Sequence, residues 1–493
     1  MSKNKTLNIA NCDVLLVQPP LISDMRYGKL AKHGPNTMPF GLATIAAVLE
    51  QAGVSVAIYD AMAEGHTLEL AADHICKSSA KYIGLSFMTP MYSVVRSLTE
   101  KVKTNTPEKT LIFGGAHPTI LPEQTLENFP WVDYLVLGEG DITFVELIDN
   151  LSHHRPLKNI QGIALRNDQG IVLNPPRNPV IDLDTIPMPA WHLLPMQKYR
   201  PTTSRFRRLP SHCILTSRGC PMNCAFCSQT IGRELRLKSS ERVLKEIETL
   251  IEEYGARELI FYDSCFTLNR KHVTDICEKL ISRGLNQKIS WSCETRVDTI
   301  DSDLLNLLKR AGCWSVHFGV ESGSQRLINM VNKKISKQQI RQAFKWAHDA
   351  GLHTAAFFML GLPTETREES RETIAFAKEL MPGFAQFTIT VPFPGTPLYD
   401  LALESGEFRP NDWDGYSTWA GWRGQELIYV PKDRSSDELI EFQRQAMSEF
   451  FLQPRIILKN TLWALKYPDL FFRYLDGFKI LLSNRFSRKK QLT

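Results

Sequence analysis

The chain has 493 residues, enough for two or three domains that each bury a core. Apolar residues at 43% and charged residues at 23% describe an ordinary globular protein, and 58 Lys+Arg against 53 Asp+Glu make no case for nucleic acid as a partner. No uninterrupted apolar run approaches the roughly 18 residues of a membrane-crossing helix, and the Met1-Ser-Lys-Asn-Lys start lacks an apolar leader, so a cytoplasmic protein is expected.

Five short apolar runs alternate with helical patterns in the first third. Residues 13–18, 54–59, 82–87, 110–113 and 133–137 read as strands, and 42–51, 68–77, 92–103 and 142–151 as helices. Strands that are apolar throughout imply a parallel sheet covered on both faces. Residues 1–150 are therefore expected to form a doubly wound α/β domain with its ligand beyond the carboxyl ends of the strands. Those ends are rich in turn residues: Gln18-Pro-Pro20, Ser86-Phe-Met-Thr89, Gly114-Gly-Ala-His-Pro-Thr119 and Gly138-Glu-Gly-Asp141. Glycine lets backbone approach a large ligand closely, although a tight βα turn uses the same residues.

Residues 151–210 read as a connector. Two short runs, 161–166 and 170–173, flank a turn and suggest a hairpin. Asn174-Pro-Pro-Arg-Asn-Pro and Ile186-Pro-Met-Pro-Ala-Trp191 then oppose regular structure.

Residues 211–400 alternate again. Strands are expected at 214–216, 258–262, 289–292, 315–318, 354–359 and 386–390, with helices near 241–253, 271–282, 303–310, 337–350 and 367–379. Six such units make a partial (β/α)6 barrel, whose chemistry collects where the strands end. After the first strand comes Thr216-Ser-Arg-Gly-Cys-Pro-Met-Asn-Cys-Ala-Phe-Cys227, with Cys220, Cys224 and Cys227 in a C-x3-C-x2-C array. Three thiolates from one loop suit a cubane iron–sulfur cluster with one iron left open. A structural zinc site calls for a partner pair, and Cys265, Cys277, Cys293 and Cys313 are scattered singly. Disulfides call for an oxidising compartment that nothing at the amino end points to.

The cysteine array, with Phe226 before its last member, resembles the signature of the radical S-adenosylmethionine (SAM) superfamily. The glycine-rich set ahead of it resembles the cobalamin-binding domain of the B12-dependent branch, and residues 182–191 resemble that branch's linker. The resemblance implies a 4Fe–4S cluster on Cys220, Cys224 and Cys227, with SAM chelating the fourth iron. It implies cobalamin against Ser86, Gly114, Gly115 and Gly138. It places Asp263 near the SAM amino group, with an N-cap of the following helix as the competing role. It places Glu294 and Arg296 at the third strand end, where a planar guanidinium suits the SAM carboxylate and a surface ion pair is the plainer reading. It places Glu321 and Ser322 at the ribose, and Gly361 in a turn holding adenine. No D-x-H-x-x-G motif is present, so a histidine lower ligand to cobalt is not expected; His33-Gly34 lacks the pattern, and His117 reads as a turn residue.

Residues 401–493 form the last region. Trp413, Trp419 and Trp422 suit either a pocket wall or, more commonly, a core. Residues 435–452 and 455–482 read as helices. From 454 to 493, nine Lys/Arg against Asp469 and Asp476 give a balance of +7, leaving the remainder near −2. There Trp463, Tyr467, Phe471, Phe472, Tyr474 and Phe478 interleave with Lys459, Lys466, Arg473 and Lys479, ahead of Arg485-Phe-Ser-Arg-Lys-Lys490. Such an end either caps the barrel or lies on an anionic membrane.

The resemblance implies an enzyme that cleaves SAM reductively to a 5′-deoxyadenosyl radical and, through methylcobalamin, methylates an unactivated carbon. The implied partners are a small-molecule or lipid-like substrate, an external electron donor such as flavodoxin or ferredoxin, and peripheral membrane contact through the tail. Two other readings stand: a non-methylating radical SAM enzyme, such as an oxidative tetrapyrrole cyclase or a lipid C–C coupling enzyme, and a cobalamin- or redox-sensing protein without turnover. No catalytic side chain is singled out, and the substrate is not legible.

Overall fold

The computed structural model describes residues 11–20, 36–418, 426–467 and 470. They fall into two compact units, one holding residues 36–199 and 228–238 with the first strand, the other residues 200–227 and the described residues from 239 to 470.

The first unit is built on a seven-stranded sheet: β1 (Val14–Gln18), β2 (Val56–Asp60), β3 (Tyr82–Ser86), β4 (Thr110–Gly114), β5 (Tyr134–Val136), β6 (Ile163–Asn167) and β7 (Gly170–Leu173), in the order β2-β1-β3-β4-β5-β6-β7. The first five strands are parallel, and their apolar residues are buried because helices cover both faces. The order reverses at β1, so β1 and β3 flank a switch point, the place where such sheets receive ligands. A Cβ on Gly84 would lie 2.8 Å from Leu16 Cδ2 and 2.9 Å from Phe144 Cζ; bare backbone there lets helix Gly140–Ser152 seat on the sheet.

The hairpin expected in the connector is part of this sheet: β6 pairs antiparallel with β5, and β7 with β6. The proline-rich segment that follows also belongs to the first unit. Ala190 N donates to Ala43 O at 2.9 Å, and Tyr199 Oη donates to Asp60 Oδ2 at 2.9 Å. Burial pushes the Asp60 carboxyl up to about 6, opposed by its bonds from Ala63 N and Tyr199.

The second unit carries six parallel strands: β8 (Ser211–Ile214), β9 (Glu258–Phe261), β10 (Ser290–Thr295), β11 (Cys313–Glu321), β12 (His353–Leu360) and β13 (Phe384–Ile389), in unbroken spatial order. Helices Ser240–Glu252, Arg270–Ser282, Ser302–Arg310, Lys337–Asp349 and Arg367–Leu380 alternate with them, as the sequence predicts. Each begins on a residue whose short side chain accepts a backbone N–H: Ser239, Asn269, Asp301, Ser336 and Thr366. Ser336 with Gln339, and Thr366 with Glu369, close full capping boxes.

Beyond the sixth strand, Gly406–Phe408 pairs antiparallel with Tyr429–Pro431. Trp413 packs on the buried cluster of Val391, Ala402, Tyr416, Ile428 and Tyr429, the core role rather than a pocket wall; Trp419 and Trp422 lie outside the described residues. Helix Ser436–Phe451 lies on β13, with Gln443 Nε2 donating to Phe387 O at 2.9 Å. Of the helix predicted over 455–482, Pro454–Lys466 is described, and the basic residues from Arg473 to Lys490 lie outside. No helix among the described residues is long and apolar enough to cross a membrane.

Candidate active site

The cysteine loop leaves the carboxyl end of β8 and is clamped at its entrance. Thr216 N and Oγ1 donate to Asp263 Oδ1 at 3.0 and 2.9 Å, and Ser217 Oγ donates to the same oxygen at 2.5 Å. Asp263, one of the site residues expected from the sequence, therefore holds the loop's first residues from the end of β9. It is not the N-cap of the next helix, since Asn269 fills that position. The far end of the loop is anchored apolarly. Phe226 packs against the cluster of Leu327, Val331, Leu362 and Leu398, Ala225 N donates to Val331 O at 2.9 Å, and Ala225 O accepts from Leu398 N at 2.9 Å. Asn332 Nδ2 adds a bond to Asn223 O at 2.7 Å.

Between these anchors, Cys220 and Cys224 are half-buried and Cys227 is exposed. Desolvation pushes the Cys227 thiol up, the Cys224 and Cys220 sulfurs push the same way, and Lys333 opposes them. A thiol that its two neighbours push up is relieved by a cationic core the three sulfurs share, so the donor set fits an iron–sulfur cluster. Among the described residues no three His, Cys, Asp or Glu side chains converge on a point suited to one metal ion.

A lattice of buried charge surrounds the loop. Arg296 Nη1 donates to Cys224 Sγ at 3.6 Å. Its fork is spent on Asp298, with Nε to Oδ1 and Nη2 to Oδ2 both at 2.8 Å, and Nη2 also reaches Lys333 O at 2.7 Å. The carboxylate that Arg296 grips in this structure is Asp298. Lys333 and Glu321, each 7% exposed, pair at 2.7 Å, and the Lys333 ammonium lies 5.5 Å over the Phe226 ring. Burial works against the Lys333 charge, but the Glu321 carboxylate and the Cys224 sulfur hold its pKa above the ordinary value.

Glu321 reaches this position through strain. Its φ is +67°, at the end of a register shift between Gly319 and Glu321, and a Cβ on Gly319 would fall 2.4 Å from Glu321 Oε1 and 2.7 Å from Lys333 Nζ. Its neighbour Ser322 is turned away. Ser322 is fully buried, its Oγ lies 3.1 Å from Thr373 Oγ1 and accepts from Ser324 N at 3.1 Å, so its hydroxyl is engaged in a turn.

Glu294 pairs with Arg205, whose guanidinium lies 4.9 Å over the Tyr262 ring. Burial disfavours the Arg205 charge, and Glu294 more than restores it. Gly361 (φ +76°) is packed against Leu439, and its turn is tied by the buried Glu365, which accepts from Leu362 N at 2.8 Å and Ser370 Oγ at 2.5 Å. Burial pushes the Glu365 carboxyl up to about 7. Sequence reasoning missed Lys333, Asp298 and Arg205. The Arg-x-Asp spacing of 296–298 was an available signal; nothing local marks Lys333 or Arg205.

In the first unit, Ser86 and Gly114 are register neighbours at the ends of β3 and β4. Gly115 (φ 95°, ψ −169°) occupies a region almost closed to other residues, and a Cβ there would meet Phe87 N, Phe87 O and Ser86 Oγ at 2.8 Å. Gly138 (φ +72°) faces open space and lines a cavity of about 260 Å³ with Glu139, Asp141, Arg177 and Gln229. Small residues and bare backbone beside the switch point fit a large, weakly charged ring system. His117, expected as a turn residue, is 1% exposed between Phe87 and Tyr92, with Nδ1 3.1 Å from Thr89 Oγ1 and a pKa pulled down to about 4 by burial. His33 and Gly34 lie outside the described residues.

The sequence family described as the Radical SAM superfamily matches residues 214–377, and the B12 binding domain matches residues 29–148. An uncharacterized methyltransferase of Pyrococcus horikoshii is 36% identical over 449 residues, covering 91% of this chain and 94% of that protein. The anaerobic magnesium-protoporphyrin IX monomethyl ester cyclase of Rubrivivax gelatinosus is 32% identical over 380 residues, covering 75% and 67%. The fold is similar to that of the radical S-adenosylmethionine methyltransferase TsrM from Kitasatospora setae, solved with cobalamin and a 4Fe–4S cluster, at a TM-score of 0.69 and 18% identity over 90% of this chain and 89% of that one. With both sequence families in the expected order, and a relative of this identity along nearly its whole length, the chain belongs to the B12-binding radical SAM family.

Proposed function

We propose that this protein is a cobalamin-dependent radical SAM methyltransferase acting on an unactivated carbon of a small-molecule or lipid-like substrate, with a flavodoxin- or ferredoxin-type protein as electron donor. The observation that carries the reading is the three-cysteine loop, clamped by Asp263 at one end and by Phe226 at the other, at the carboxyl end of a six-stranded parallel sheet. The 36% identity to a methyltransferase along nearly the whole chain supports methyl transfer. When bound, a 4Fe–4S cluster with SAM supplies reductive C–S cleavage and cobalamin supplies methyl delivery, chemistry no side chain can perform.

The chain's own residues position and shield. Cys220, Cys224 and Cys227 would hold the iron. Arg296 and Lys333 place two positive charges beside Cys224, where fixed charge steadies thiolates without reorganisation. Glu321, held toward the loop by Lys333, is the acceptor best placed for a SAM hydroxyl or ammonium. Ser86, Gly114, Gly115 and Gly138 form the floor on which cobalamin would rest.

Anaerobic reconstitution with iron, sulfide and cobalamin tests the proposal: four irons of one cubane and one cobalt per chain are expected, with both S-adenosylhomocysteine and 5′-deoxyadenosine as products. The 32% identity to the cyclase supports an oxidative, non-methylating reaction as second reading. That reaction yields 5′-deoxyadenosine without S-adenosylhomocysteine, and such a product pattern would replace the first reading.

A further inference from the structure

Strands β10 to β13 turn one face to the helices and the other inward. Phe318 meets Phe344 of helix Lys337–Asp349 at 5.1 Å, and Phe387 meets Phe450 of helix Ser436–Phe451 at 6.5 Å, so these side chains face outward. Their chain neighbours face inward, in rows set by the strand register. Glu294, His317 and Ala355 form one row, and Gly319, Phe357 and Gln386 the next, a step nearer the carboxyl ends. Phe318 and Phe387 are buried, whereas Glu294, Gly319, Phe357 and Gln386 are half-buried, so the inner face borders a lumen. Residues 205–207 close its lower end: Ser292 Oγ donates to Arg205 O at 3.2 Å, and Arg207 N donates to the buried Glu258 Oε2 at 2.6 Å.

The floor carries polar atoms with nothing to bond. His317 is 1% exposed and stands edge-on to Phe357 at 5.9 Å. Among the described residues, neither of its ring nitrogens completes a hydrogen bond, and nor does Arg205 Nη1. Burial first, then Arg205 and His353, hold the His317 pKa well below the ordinary value, and the Ser204 backbone opposes them. The ring is therefore neutral and offers one donor and one acceptor. A buried group left unpaired costs stability, and one kept at that cost calls for a partner.

The charge beside it is balanced. Arg205, 4.9 Å over the Tyr262 ring, is matched by Glu294, whose side chain is 32% exposed. A carboxylate placed here meets Glu294, and an ammonium meets Arg205; either is left partly desolvated and poorly matched. A neutral group that both donates and accepts suits His317 and Arg205 without that conflict. Tyr262, 41% exposed, and the half-buried Phe357 offer apolar surface to the rest of such a molecule. We infer that this lumen takes a substrate by a neutral donor–acceptor head such as a carboxamide, held by His317 and Arg205, with its apolar carbons toward the cysteine loop. The inference rests on the reading above that the reaction occurs at this end of the sheet.

Equilibrium dialysis of the iron- and cobalamin-loaded protein, with SAM and without reductant, tests it. The probes are 3-phenylpropanamide, 3-phenylpropanoate and 3-phenylpropylamine, which share a skeleton and differ in the head. The amide should bind about tenfold more tightly than either charged probe. His317→Phe keeps a ring against Phe357 and removes both nitrogens; amide affinity should fall about tenfold with the thermal midpoint unchanged or higher. Glu294→Gln leaves Arg205 unmatched and should turn the preference toward the carboxylate. Absence of amide binding, equal binding of the three probes, or unchanged amide affinity in His317→Phe overturns the inference. So does a lower thermal midpoint in that variant, since the imidazole would then serve the core. SAM is measured in the same dialysis: SAM retained without the amide sinks this inference alone, and loss of both sinks the reading of the site as well.

Discussion

The carboxyl ends of the two parallel sheets are made of opposite materials. At the first, Ser86, Gly114 and Gly115 bring small side chains and backbone together, and Gly138 opens onto a cavity. At the second, Asp263, Arg296 and Glu321 bring buried charge, each matched by Thr216, Asp298 or Lys333. A broad ring system asks for room and backbone approach. An anionic cluster with a zwitterionic ligand asks for charges already fixed in place, where they cost no reorganisation. The price of the second design is stability, because desolvating an ion pair often cancels its attraction.

Four experiments break or sharpen this contrast. The largest effect should come from Cys224→Ala, which removes a cluster ligand: iron content and 5′-deoxyadenosine formation should fall to background while cobalamin binding by the first unit persists. Loss of both would show that the two ends are not separate constructions.

Next is Lys333→Met, which leaves the Glu321 carboxylate buried without its partner. A loss of about 3–5 kcal/mol in the second unit's unfolding free energy is expected. The double variant Glu321→Leu with Lys333→Met should recover most of that stability yet remain deficient in SAM affinity, measured by equilibrium dialysis. Recovery of both would mean that the pair is structural only.

Gly115→Ala forces a side chain into a backbone region that costs roughly 1–3 kcal/mol, plus the overlap with Phe87. Cobalt retention should fall while iron loading is unchanged, the mirror image of Cys224→Ala.

The smallest effect is a pH dependence. Burial raises the Glu365 carboxyl from the ordinary glutamate value of about 4.5 to about 7. Between those values the unfolded chain releases a proton that the folded chain keeps, so the stability this group contributes is present below about pH 5 and lost as pH rises toward 7. Glu365→Gln should flatten that slope by on the order of 1–2 kcal/mol in denaturant titrations. An unchanged slope would remove Glu365 from the account.

Much of the fold was legible before any coordinate. The buried parallel strands announce themselves as unbroken apolar runs, and Ser239, Asn269, Asp301, Ser336 and Thr366 mark helix starts within a residue of where periodicity puts them. The connector hairpin was legible as a hairpin but not as the edge of the first sheet, because pairing with β5 is a contact between segments far apart in sequence.

What the sequence determined by itself was what local chemistry can encode: two runs of alternating strands and helices, a trio of thiols in one loop, and glycine at turns that exclude side chains. What only the tertiary structure decided was which charge meets which. Arg296 was read against a ligand and is found on Asp298, Ser322 was read against a ribose and is found in a turn, and Lys333, unremarkable in the chain, stands beside Cys224 and Glu321. In the last helix Trp463 was read as part of an aromatic stripe and is found against His353 and Trp314, while Leu458, Leu462 and Leu465 stand exposed. The physical reason is common to all four. A strand or a cap is settled by neighbours a few residues away, whereas the partner of a buried charge, and the face a helix hides, are settled by whatever distant segment packs against it.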